Sequence, residues 1–325
     1  LKELFIFGAG YAGLMAAHYF SSKGYKVTVL EKKREITSNH SALFRFKEDI
    51  SNIIPIKLEK VIVRKNIYYK DTLYNEPNIK LNNLYSYKTT GKYTERSIMN
   101  LDSGVRFIPS ATYFSELIEL CKKNGVTFVT GYGVTLEDFI AEGNKISTLP
   151  LPVVLNILGI DCKDRFESKT INTISVDIKP ELLNLHQTIY FPQPQNQNPF
   201  YRISIIGNRI VGEFRDDNTL FPINVNMIFR DLIFHSFGIN REIVEGGSDY
   251  IHSKQKFGKL IKIGENKRKE LVYTVTKMTG AYLLGRFATW RQIMTPEVIK
   301  DILRIEQWFE LEQMSNYDKQ KAVKL

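Results

Sequence analysis

Residues 2–33 read KELFIFGAGYAGLMAAHYFSSKGYKVTVLEKK, and this stretch decides the fold. The run from Leu4 to Phe7 has the pattern of a buried strand. Gly8, Gly10 and Gly13 follow at G-x-G-x-x-G spacing, and Leu14, Met15, Ala17 and Phe20 carry a helical apolar pattern. Gly24 then precedes a second apolar run that ends at Glu31 and Lys32. Each part has a mechanical role in a dinucleotide site. Gly8 makes the tight strand-to-helix turn, Gly10 lets the backbone approach a pyrophosphate, and Gly13 lets helix and strand pack closely. The backbone N–H groups at Tyr11 and Ala12, with the helix dipole behind them, face the phosphates. A carboxylate at Glu31 accepts hydrogen bonds from an adenosine ribose, which favours FAD or NAD over NADP; the motif alone does not separate the two.

The composition sets further bounds. The chain of 325 residues is long enough for one large or two ordinary domains, with the apolar and charged fractions of a soluble globular protein. No apolar run approaches the length of a membrane span, and the first strand starts at residue 2, so a cytoplasmic protein without a signal peptide is expected. Cys121 and Cys162 make neither a disulfide framework nor a metal cluster, and the five histidines lack ligand spacing. The formal net charge of +10 suits an anionic substrate, nucleic acid or simple solubilisation alike.

Beyond Lys33, Arg45 lies where an arginine reaches the cofactor's phosphates or adenine, or stands in solvent as a loop cation. Residues 53–100 are rich in Ile, Val, Tyr and Thr alternating with polar residues, and predict antiparallel strands outside the first domain. Residues 110–124 predict a helix with Ser110 as its N-cap, and residues 125–134 a strand. A strand entering a proline-bounded turn follows at residues 146–152, then an apolar helix over 153–160. Residues 171–230 are again β-rich around the polar loop PQPQNQNP at 192–199. Residues 254–269 (KQKFGKLIKIGENKRK), opening with Lys254 and closing with Lys269, hold seven Lys/Arg against one Glu. They read as a solvated hairpin or as a patch that tracks nucleic-acid phosphates. Near the end, Thr295 and Pro296 predict a helix start just after Met294.

Four separated pieces carry a family resemblance: Gly8-x-Gly10-x-x-Gly13 with Glu31; Ile146-Ser-Thr-Leu-Pro-Leu-Pro152; Ile189-Tyr-Phe-Pro192 with Pro199-Phe-Tyr-Arg202; and Leu284-Gly-Arg-Phe-Ala-Thr-Trp-Arg291. In order and approximate spacing they resemble UDP-galactopyranose mutase and its relatives among the glutathione-reductase-type, amine-oxidase-like flavoproteins. The resemblance implies FAD as cofactor. It also implies an α/β fold, with a discontinuous Rossmann-like FAD-binding domain and an inserted, mainly antiparallel β-sheet substrate domain. The expected division is residues 1–50, 104–160 and 270–325 for the cofactor, and 51–103 and 161–269 for the substrate. Gly285, Arg286 and Met294 are expected to complete the cofactor site. Arg202 and Arg291 are implied to hold a substrate diphosphate, for which planar guanidinium forks are suited. His40 is the one histidine placed to approach a flavin. The family's His-Gly-Gly-Asn loop is replaced here by Ser38-Asn39-His40-Ser41, and its tyrosine after Trp-Arg by Gln292.

An FAD-dependent enzyme acting on an anionic, nucleotide-linked substrate is therefore expected, of the mutase kind. The alternative is a flavin-dependent amine oxidase or lyase that modifies a nucleotide or nucleic-acid base, as in phage-type DNA modification. A flavin-binding protein without turnover is the third reading.

Overall fold

The structure, a computed structural model, describes residues 2–38, 44–93, 96–162, 166–215 and 225–313. The chain begins with β1 (Glu3–Phe7), α1 (Tyr11–Ser22) and β2 (Lys26–Glu31). It then leaves for β3 (Leu58–Tyr69), β4 (Thr72–Tyr74), α2 (Ile79–Thr90) and β5 (Gly104–Pro109). It returns through α3 (Tyr113–Lys123), β6 (Thr127–Thr130), α4 (Leu136–Ile140), β7 (Asn144–Ser147) and α5 (Leu151–Ile157). A second departure forms β8 (Ser168–Asp177), β9 (Leu185–Tyr190), β10 (Phe200–Gly207) and β11 (Arg209–Arg215). It goes on through α6 (Val225–Phe237), α7 (Arg241–Glu245) and β12 (Ile251–Leu260). The chain closes with α8 (Glu265–Thr279), β13 (Ala281–Leu283) and α9 (Thr295–Gln313).

Two sheets result. The first is a parallel Rossmann-like sheet in the order β13-β7-β1-β2-β6, assembled from three separated parts of the chain. Helices cover both its faces. Leu4 and Ile6 pack with α1, α3 and α9, while Phe7 and Leu30 join a second cluster with α5 and α8. The other sheet runs β12-β8-β11-β10-β9-β3-β4, with β5 also paired to β3, and is antiparallel except for the β3–β9 pair. Phe200, Ile203 and Ile205 pack there with Phe229 and Ile233 of α6. The architecture is α/β, with a discontinuous cofactor-binding fold and an inserted, mainly antiparallel sheet. No helix among the described residues is long and apolar enough to cross a membrane.

Three local expectations need correction. Residues 79–90, read as strand, are helix α2. The Asn78 side chain accepts the Leu81 N–H at its start, and Gly91 ends it in the left-handed conformation at φ 80°. Leu81 and Tyr85 then share one buried face at helical spacing. Residues 254–269 are not a hairpin but the end of β12 followed by the start of α8. Ser110 does not cap α3, which begins at Tyr113; Ser110 and Thr112 instead both donate to Glu116 Oε1, at 2.9 and 2.6 Å.

Candidate functional site

At the first turn, Gly8 adopts φ +101°, a conformation that favours glycine, and its N–H donates to Leu30 O at 2.8 Å. Thr148 at the end of β7 donates its hydroxyl to Phe7 O at 2.9 Å and pins the turn. A Cβ on Gly13 would overlap the Gly8 carbonyl oxygen, so helix and strand meet through bare backbone. Gly10 is different: its backbone is extended, and among the described residues a Cβ there would meet nothing within 4 Å. Packing against those residues therefore does not demand a glycine at position 10, and none of them fills the space before it, as a close approach by an external group requires. The first turn of α1 carries no acidic residue. Its N–H groups lack intrahelical acceptors and are suited to phosphate oxygens.

The Tyr11 ring packs on Phe44 at 4.4 Å and Phe114 at 4.9 Å, turned to the core while its backbone starts the helix. Glu31 Oε2 accepts the Ala9 N–H at 2.8 Å and Oε1 the Lys33 N–H at 3.0 Å. That places the carboxylate beside the glycine turn, where a ribose would lie. Lys32 is exposed next to it.

The segment after β13 closes over this turn. Gly285, at φ +93°, packs so closely that a Cβ would come within 2.9 Å of Ala12 Cβ. The segment is tied down by Leu284 N–H to Ser147 O (2.9 Å) and Leu151 N–H to Phe287 O (3.0 Å). Trp290 is buried with φ 47° and donates its indole N–H to Ile261 O at 3.0 Å. Met294 is half exposed, and its N–H donates to Glu297 Oε2 at 3.0 Å at the start of α9.

Between the two sheets lies a buried cationic cluster. A β-bulge at residues 200–202 sets Tyr201 and Arg202 side by side opposite Glu213, a carboxylate only 1% exposed. Arg202 Nε donates to Glu213 Oε1 at 3.0 Å, its Nη2 contacts the same oxygen, and the Tyr201 hydroxyl donates to Oε2 at 2.7 Å. Lys259 Nζ sits 4.6 Å from the Tyr201 ring centroid and 3.9 Å from Glu213 Oε2. Burial pushes the Glu213 carboxyl up, but Arg202, Lys259 and Tyr201 outweigh it and hold it at about 2. Arg202 is lowered by burial and raised by more through Glu213, so the pair stays ionised.

Arg45, Arg96 and Arg286 complete the cluster. Burial first, then Arg202, brings the Arg45 guanidinium down to about 10; burial and Arg96 bring Arg286 to about 10. Arg96 is lowered mainly by burial. All stay charged at neutral pH. Arg96 Nε and Nη2 and Arg286 Nε are buried without a hydrogen-bond partner among the described residues. Tyr85 packs edge-on against Tyr190 (5.3 Å) and Tyr201 (6.3 Å) beside them. Among the described residues, four guanidiniums and the Lys259 amine thus surround one carboxylate. An arrangement of this kind is costly unless it receives an anion.

The expected residues are distributed unevenly over these places. Gly8, Gly10, Tyr11, Ala12, Gly13, Glu31 and Gly285 meet at the glycine turn. Arg45 does not reach that turn. Its Nη1 donates to Thr188 Oγ1 on β9 at 3.0 Å, within the cationic cluster. Arg286 likewise turns to the inserted sheet, donating to Gly258 O at 3.0 Å. Arg291 is not brought beside Arg202; it donates to Thr289 Oγ1 at 3.0 Å and pairs with Asp301. His40 lies outside the described residues. Sequence reading missed Arg96, which sits in an irregular loop with no motif, and Lys259, hidden in a run of lysines.

Residues 6–48 match the family model described as an NAD(P)-binding Rossmann-like domain. No curated protein sequence matches the chain. The fold is shared at low identity with several solved structures. Among solved structures, the chain is similar to a reduced UDP-galactopyranose mutase, with 15% identity over 96% of this chain and 94% of that one and a TM-score of 0.66. An oxidoreductase from Methanosarcina mazei is 12% identical over 94% of this chain and 100% of its own, with a TM-score of 0.56. A geranylgeranyl bacteriochlorophyll reductase-like protein from Thermoplasma acidophilum is 12% identical over 99% and 83%, with a TM-score of 0.53. At these identities the likeness is one of fold.

Proposed function

We propose that the protein is an FAD-dependent enzyme acting on a phosphate-bearing, nucleotide-linked substrate, akin to UDP-galactopyranose mutase. The observation that carries this reading is the buried cluster of Arg45, Arg96, Arg202, Arg286 and Lys259 around Glu213, the one carboxylate there among the described residues. In this reading the diphosphate of the substrate occupies the cluster. Arg202 is preset by Glu213, and the unpartnered nitrogens of Arg96 and Arg286 supply further donors. Arg286 follows Gly285, the residue packed against the N-terminus of α1, so the anion site adjoins the cofactor site through one short segment.

FAD fits the residues present. The backbone at Gly8, Gly10, Tyr11, Ala12 and Gly13 would hold its pyrophosphate, Glu31 its ribose, with Lys32 nearby and Gly285 and Met294 closing the site. When bound, a flavin supplies either hydride-level redox chemistry or, once reduced, a nucleophilic nitrogen. In this reading residues 1–50, 110–160 and 270–325 form the cofactor domain and the remainder the substrate domain; the expected boundary at 104 moves because β5 pairs with β3 of the inserted sheet. Arg291 acts in this account by fixing the Trp290 segment through Asp301. A role for His40 beside the flavin is carried forward from the sequence.

A polymer substrate has less support. Within residues 254–269, Lys259 and Arg268 are buried, and Lys267, Arg268 and Lys269 pair with Glu270 or Glu265. The test is anaerobic titration of the FAD-loaded protein with nucleotide sugars, followed by flavin absorbance. Turnover only after prior reduction supports mutase-like chemistry, and bleaching by substrate supports net oxidation. A protein that binds neither FAD nor nucleotide sugar contradicts the proposal.

A further inference from the structure

Lys259 lies near the end of β12, and strand alternation puts it on the face opposite Lys254 and Lys256. Lys254 and Lys256 point outward, while Lys259 is 8% exposed. The β12–β8 register shifts between Gln255 and Lys259, and Gly258 sits so close to Ile171 that a Cβ would overlap it. Lys259 thus shares the buried face with Gln255, four residues before it, and reaches the cluster from there.

The amine there is surrounded by charge from every packed element. Glu213 faces it from β11, Tyr201 and Arg202 from β10, Arg96 from the loop after α2 and Arg286 from the loop after β13. Lys169 is its ladder partner on β8. Glu213 is the carboxylate among them, and its oxygens already accept from Arg202 and Tyr201. At 3.9 Å, Lys259 is too far from it for a hydrogen bond. The guanidiniums keep their protons at neutral pH, so the like-charge repulsion falls on the lysine.

We propose that Lys259 is a specificity-determining residue that makes the cluster a proton-linked receptor for a dianionic ligand, the protein taking up a proton on this amine as a diphosphate binds. The proposal rests on the reading of the cluster as the substrate's anion site. Its physical basis is that burial first, then Arg96, Arg202 and Arg286, hold the empty-site ammonium well below the usual lysine range, against the pull of Glu213. Two added negative charges reverse that balance. By linkage, a ligand that promotes protonation binds more tightly as pH falls through the window where the free amine is neutral. A monoanion, with half the charge, gains less from the switch.

The test uses the FAD-loaded protein and UDP-glucose as probe, whose diphosphate does not titrate between pH 6 and 9. Calorimetry in two buffers of different ionisation heat reads the protons taken up. The wild type is expected to take up as much as one proton per ligand, with affinity changing by up to about tenfold per pH unit. Lys259→Met and Lys259→Arg should both abolish the uptake, the first by removing the proton site and the second by holding it charged. A thermal melt checks that each variant is folded, and either suffices alone. Binding by the wild type without proton uptake, or uptake that persists in a folded variant, overturns the proposal while leaving the anion site standing. No binding by the wild type at any pH overturns both.

Discussion

A Cβ placed on Gly285 would lie 2.9 Å from the Cβ of Ala12, so the chain's last strand-to-loop turn seats directly on the start of its first helix. The contact joins two ends of the sequence at the open space before Gly10. Both this contact and the φ of +93° at Gly285 call for a residue without a Cβ.

Gly285→Val should therefore disturb both the fold and the cofactor site. The positive φ alone costs about 1–3 kcal/mol for a β-branched residue, and the clash with Ala12 adds to it. Thermal melting should show the loss, and flavin absorbance of the purified variant should show reduced occupancy. A variant that melts like the wild type would refute the packing argument.

Gly10→Val separates ligand approach from packing. The Gly10 backbone is extended and its Cβ direction is open, so the apoprotein should lose at most about 1 kcal/mol, the scale of an N-cap change. Cofactor should nonetheless be lost, because the side chain would fill the space a pyrophosphate needs. Full FAD occupancy in this variant would mean that the cofactor lies elsewhere.

Lys88 is a buried lysine whose Nζ donates to Phe191 O at 2.9 Å and Phe200 O at 2.5 Å, closing the neck of the loop at residues 192–199. Burial holds its ammonium well below the usual lysine value of 10.5, and a neutral amine has two N–H donors for these two carbonyls. The unfolded chain binds the proton more readily than the folded one. Stability should thus rise with pH from the depressed folded value up to about 10.5. Lys88→Met should flatten part of that slope and cost about 1–3 kcal/mol through the two carbonyls left without a donor. Denaturant midpoints at several pH values check both; an unchanged slope contradicts the assignment.

Glu213 gives the same sign in an acid window. Its carboxyl is held at about 2 in the folded chain, so its stabilising contribution is complete above the unfolded value near 4.5 and disappears as pH falls toward 2. Glu213→Ala should cost about 3–5 kcal/mol, because it leaves the buried Arg202 guanidinium without its carboxylate. Acid unfolding of Glu213→Gln, followed by circular dichroism, should lack the wild type's dependence between those two values. Parallel acid curves would show that the pair contributes little.

How much of this was legible in the sequence depends on the range of the contacts. The glycine turn and its flanking strands were readable because every determinant falls within residues 3–31, and the outcome at Gly8, Gly13 and Glu31 follows from that local spacing. Helix α2 was not. Its Asn, Tyr and Thr residues favour strands or turns, and it is held by its caps at Asn78 and Gly91 and by tertiary contacts of Leu81 and Tyr85. The cationic cluster was hidden for a different reason. Arg45, Arg96, Arg202, Lys259 and Arg286 come from five separated segments, and only the sheet topology brings them together. Lys259 was further disguised by its neighbours, since Lys254 and Lys256 lie on the exposed face of the same strand.

The central claim is that Arg202, preset by Glu213, binds the phosphates of the substrate. Its most direct test is equilibrium binding of a nucleotide sugar to FAD-loaded wild type, Arg202→Lys and Arg291→Lys. Arg202→Lys keeps the charge but loses the planar fork, and should weaken binding by about 1–3 kcal/mol. Arg291→Lys, already engaged by Asp301, should change it by less. Equal affinity of wild type and Arg202→Lys would contradict the account.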